Sequence, residues 1–137
     1  MNPIASEIVK AGEGIKAGSV ILPVNNNPYW YLSHFSNYLG VDKPMIILEN
    51  YEADNAYFPL RWKPEGHPAM QAELPCYTWR KTNHKVQAKP IDYVFILGDT
   101  ATMEGYECNQ ALKILLSKQG KRTFKGEHIE LYQIKSK

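Results

Sequence analysis

Residues 92–99 read DYVFILGD, five consecutive apolar side chains between Asp92 and Gly98. The run is continuous rather than alternating, which is the pattern of a strand covered on both faces, as in parallel sheets flanked by helices. Two earlier segments, SVILPV (19–24) and PMIILEN (44–50), have the same character. All three are short and rich in Val, Ile and aromatics, which favours strands over buried helices. The spacing therefore predicts an α/β fold: a Rossmann-like open sheet, mainly parallel, with strands near 19–24, 44–50 and 92–99 and helices on its faces.

The intervening segments fit that scheme. Pro3 to about Ile15 places Ile4, Ile8, Val9 and Ile15 on one helical face, with Asn2 as cap and Pro3 in the first turn. NPYWYLSHFSNYLG (27–40) predicts a helix capped by Asn27 and ended by Gly40, completing a right-handed β–α–β unit. After the third strand, Asp99 or Thr100 can cap a helix to about Lys118, with Cys108, Leu112, Leu115 and Leu116 buried and Gly120 closing it. RTFKGEHIELYQI predicts a C-terminal hairpin near 121–134, turning at Gly126-Glu127, with Phe124, Ile129, Leu131 and Ile134 inward. Residues 63–90, broken by Pro64, Gly66, Pro68, Pro75 and Pro90, predict an irregular excursion within a single domain, 1–137.

Bulk properties exclude several classes. The net charge of +2 is small, and the cations are scattered rather than banked into the stripe that nucleic acid needs. Residues 121–137 lean basic but also carry Glu127 and Glu130, and they read as a solvated face. No apolar run approaches the ~20 residues of a membrane span. Cys76 and Cys108 lack metal-ligand spacing, HExxH and HxxxH are absent, and no metal site is expected. GxGxxG, P-loop and GxSxG patterns are also absent, so no nucleotide cofactor is expected.

The polar clusters are more informative. Parallel strands would present Asn25-Asn26-Asn27, Glu49-Asn50-Tyr51-Glu52 and Asp99-Thr100 at their C-terminal ends, where open α/β sheets bind ligands. Asn27 and Asp99 also sit where helix caps belong, so capping competes with ligand contact. On a helix over 28–39, Trp30, His34 and Tyr38 fall at i, i+4 and i+8. Such a stripe packs on the sheet or faces the crevice, with His34 as donor or general base. The aromatics Tyr51, Tyr57, Phe58 and Trp62 read either as a satellite core or as stacking platforms for sugar rings. The expected ligand set is Asn25, Asn26, Trp30, His34, Tyr38, Glu49, Asn50, Tyr51, Glu52 and Asp99. Two other readings use the same residues: a small hydrolase or transferase with His34 as base and Glu52 or Asp99 as its acid, and a ligand-free protein-interaction domain.

The string W..SHFSNYLG....P.IILENYEA...YFPLRW, from Trp30 to Trp62, resembles the soluble C-terminal part of multi-spanning membrane proteins of Bacteroides-type bacteria. Those proteins are related to glycosyltransferases that use lipid-linked sugar donors. The residues carrying the resemblance are Trp30, His34, Asn37 to Gly40, Glu49 to Ala53, Tyr57 to Pro59 and Trp62. It implies a fragment of a longer protein, on the periplasmic side of the inner membrane. It also implies an accessory, non-catalytic role, with a glycan or lipid-linked sugar and the membrane-spanning region of the same protein as partners. The catalytic acids of such transferases lie in loops between spans, which this chain lacks.

Overall fold

The computed structural model describes residues 2–32, 34–48, 90–103 and 107–135, without the side chains of Trp30, Glu107 and Cys108. Helix α1 is Pro3–Glu13. Asn2 caps it as expected, its Oδ1 accepting from Ile4 N at 2.9 Å. Strands β1 (Val20–Asn25), β2 (Ile46–Ile47) and β3 (Tyr93–Leu97) follow, then helix α2 (Glu107–Gln119) and strands β4 (Gly120–Lys125) and β5 (Ile129–Ile134).

These strands form one sheet in the order β2-β1-β3-β5-β4. β1 runs parallel to both β2 and β3. β5 is antiparallel to β3 and to β4. The sheet is therefore open and α/β as expected, but parallel at one end only. The cause is the hairpin: a tight turn reverses the chain, whereas a parallel pair needs a long crossover.

Both faces are covered, which explains the unbroken apolar runs. Ile8, Ala11 and Ile15 pack with Leu32 and Leu39 on Ile21, Tyr93, Phe95, Leu97, Ile129 and Leu131. On the other face, Leu112, Leu115 and Leu116 of α2 pack on Val20, Leu22, Val24, Val94 and Ile96. Each of these large side chains contributes roughly 1.5–3 kcal/mol on full burial. The hairpin supplies both layers: Phe124, Ile129 and Leu131 join the α1 side, and Ile134 joins the α2 side.

Three local expectations change. Residues 27–40 form two 3-10 helices, Trp30–Leu32 and Phe35–Gly40, rather than one α-helix. Ser, Asn and aromatic residues are weak helix formers, and His34 at φ −97°, ψ 7° interrupts the turn pattern. Asp99 caps a 3-10 turn, Thr100–Thr102, and α2 is described over Glu107–Gln119. Gly120 opens β4 instead of ending the helix in a left-handed conformation. It is still a close-approach glycine, because a Cβ there would lie 2.6 Å from Leu116 O.

Candidate functional site

The C-terminal ends of β1 and β3 meet through Asn26. Its backbone N–H donates to Leu97 O at 2.8 Å. Its side-chain Nδ2 donates to Asp99 O at 2.8 Å and to Thr102 Oγ1 at 3.0 Å. Gly98, at φ +108°, passes so close that a Cβ would stand 3.1 Å from Asn26 O. The other polar groups of this crest organise turns. Asn25 Oδ1 accepts from Asn27 N at 2.9 Å, and Asn27 Oδ1 accepts from Tyr29 N at 3.0 Å. Asp99 Oδ1 accepts from Ala101 N at 2.8 Å. These Asx turns are what Asn and Asp do best next to a strand end. Asn25, Asn26 and Asp99 thus shape the crest, and Asn25 and Asp99 remain exposed on it.

The segment that follows the crest in sequence carries exposed aromatic side chains. Tyr29 and Tyr31 are 55% and 57% exposed. Their rings stack at 5.5 Å with an interplanar angle of 29°. Tyr38, 40% exposed, meets Phe35 edge to face at 5.6 Å. The expected i, i+4, i+8 stripe presumed one α-helix, whereas Trp30–Leu32 and Phe35–Gly40 are separate 3-10 helices. His34 is exposed, and no described residue forms a hydrogen bond with its ring. Glu49, Asn50, Tyr51 and Glu52 lie outside the described residues, as do Tyr57, Phe58, Trp62, the excursion at 63–89 and the Trp30 side chain. Tyr29 and Tyr31 are aromatics that the helical reading, centred on Trp30, His34 and Tyr38, passed over. Treating 27–32 as a turn rather than a helix is the signal that would have found them.

A second polar cluster lies on the α2 face of the hairpin. Glu130 is 3% exposed. Tyr132 Oη donates to its Oε2, and Thr100 Oγ1 does so at 3.3 Å. Arg122 and Lys125 stand 3.8 and 3.6 Å from the carboxylate, at about half exposure. Burial, followed by the hydrogen bond to Glu130, raises the Tyr132 hydroxyl pKa above its ordinary value. Period two in IELYQI already puts Glu130 and Tyr132 on one face. What the sequence hid was that α2 covers that face.

Among the described residues, no group of three His, Cys, Asp or Glu side chains converges to hold a metal. No described helix is long and apolar enough to cross a membrane. Comparison with protein-family models, curated proteins and solved structures finds no match for this chain.

Proposed function

We propose that the chain is an accessory, non-catalytic domain that binds a glycan or a lipid-linked sugar along the C-terminal ends of its parallel strands. The observation that carries this reading is the stacked, exposed pair Tyr29–Tyr31, joined through the Asn27 turn to a crest that exposes Asn25 and Asp99. Exposed aromatic faces beside amide and carboxylate groups suit pyranose recognition: C–H faces stack on rings, and hydroxyls take bidentate hydrogen bonds. Glu49, Asn50, Tyr51 and Glu52, which lie outside the described residues, belong to the proposed ligand set on their sequence alone.

The resemblance of residues 30–62 to membrane glycosyltransferase-related proteins supports the wider setting. That setting is the periplasmic side of the inner membrane, next to membrane-spanning segments of the same protein. On this reading the parallel end, β2-β1-β3, is the Rossmann-like half of the sheet, used without a nucleotide because its first βα turn is Asn-rich rather than Gly-rich.

An oligosaccharide panel, followed by titration with a polyprenyl-phosphate-linked sugar in micelles, tests the proposal. Tyr31→Ala and Glu52→Ala should each weaken binding about tenfold, the equivalent of about 1.4 kcal/mol per substitution. Unchanged affinity in both variants, or no binding by the unsubstituted chain, would sink it.

A further inference from the structure

Arg122 and Lys125 are three residues apart on β4, and a regular strand would send them to opposite faces. Instead the β4–β5 register slips between Arg122 and Phe124: Arg122 lies opposite Tyr132, and Lys125 lies opposite Glu130. Tyr132 and Glu130 are two apart on β5 and share a face. The irregularity at Thr123 therefore turns both cations to the side of the buried Glu130. Bulges that re-aim a side chain recur beside functional sites.

Among the described residues, two cations share one carboxylate there, that of Glu130. Its Oε2 already receives the hydroxyls of Tyr132 and Thr100. A closed charge-assisted pair would stand at about 2.7–2.9 Å. At 3.8 and 3.6 Å, neither Arg122 nor Lys125 makes one with Glu130. Both side chains are about half exposed, Arg122 also hydrogen-bonds Tyr132, and the guanidinium fork, with five donors, suits a phosphate.

We propose that Arg122 and Lys125 form a phosphate-binding site on the hairpin, with Glu130 as the buried anchor that holds the two cations on one face. Its ligand chemistry is a phosphate monoester, diphosphate or phosphodiester, carried by a soluble molecule or by a lipid headgroup. The site goes beyond the sugar-binding reading and does not depend on Tyr29 and Tyr31.

NMR titration of the full chain with inorganic pyrophosphate, with acetate as control, tests it. A second arm measures co-sedimentation with phosphatidylcholine vesicles with and without phosphatidylglycerol. Saturable shifts centred on residues 122–125 and 130–132, stronger with pyrophosphate than acetate, are expected, and the double variant R122Q/K125Q should weaken them at least tenfold. Binding of pyrophosphate alone assigns a soluble ligand, and added binding to anionic vesicles assigns a lipid headgroup. If neither probe binds, if acetate matches pyrophosphate, or if the double variant binds as well as the parent, the proposal fails. Arg122→Lys checks the fold-neutral case: it keeps the charge while losing the fork, and its affinity should fall between the two. Tyr31→Ala should leave phosphate binding unchanged, so failure of this site and failure of the sugar reading are told apart.

Discussion

The carboxylate of Glu7 occupies the space above Gly126: a Cβ built on residue 126 would fall 1.4 Å from Glu7 Oε1. From that position Glu7 accepts the N–H of His128 at 3.2 Å and of Ile129 at 3.4 Å, and meets His128 Nδ1 at 3.0 Å. The first helix thereby clamps the last hairpin across almost the whole chain. Gly126→Ala should evict the flexible Glu7 side chain and cost about 1–3 kcal/mol in urea unfolding, because several donors lose their acceptor. In a Glu7→Ala background the same glycine substitution should cost little further. Additive effects in that double-mutant cycle would show that the clamp is not what the glycine protects.

Glu130 makes a different prediction. Glu130→Ala leaves the Tyr132 and Thr100 hydroxyls without their acceptor, at a cost of about 1–3 kcal/mol. Glu130→Gln keeps an oxygen for those hydroxyls and loses only attraction to half-exposed cations, worth under about 1 kcal/mol. Chemical denaturation of the two variants should therefore separate them clearly. Equal losses would mean that the charge, and not the hydrogen bonding, sustains the cluster.

Tyr132 carries a pH signature. Its folded pKa is raised, chiefly by burial and then by the Glu130 hydrogen bond, so the unfolded chain gives up this proton first as pH rises. The contribution is complete below the unfolded value of about 10. It is lost as pH climbs from there through the folded pKa. Urea midpoints measured on the alkaline side should show the gap between the parent chain and Tyr132→Phe shrinking above that point. A gap that widened instead would contradict the assignment.

Much of the sheet could be read from the order of residues, because short continuous apolar runs such as YVFIL fit strands covered on both faces, as β3 is. The 3-10 geometry of residues 30–40 was less legible. Asn27, Pro28 and Gly40 are start and stop signals for any helix, and nothing in them fixes its pitch. In the site, the caps were readable as caps, whereas the tie from Asn26 to Thr102 depends on strand pairing across more than seventy residues. The convergence of Arg122 and Lys125 was hidden for a sharper reason. A bulge cancels the period-two rule on which face assignment rests, and no residue type at Thr123 announces it.

Gly12 tests a competition of signs. It lies inside α1, where alanine is worth roughly 0.5–1 kcal/mol more than glycine from backbone entropy. Yet a Cβ there would stand 2.9 Å from the carbonyl oxygen of Leu39, a backbone atom of the second 3-10 helix that cannot swing aside as a side chain can. Overpacking of this kind costs about 1–3 kcal/mol, so the clash outweighs the propensity gain. Gly12→Ala should lower stability and shift amide resonances of residues 35–40, the segment whose Leu39 carbonyl the new methyl would meet. A stabilised variant with unmoved resonances would show that α1 and this segment are not packed backbone to backbone.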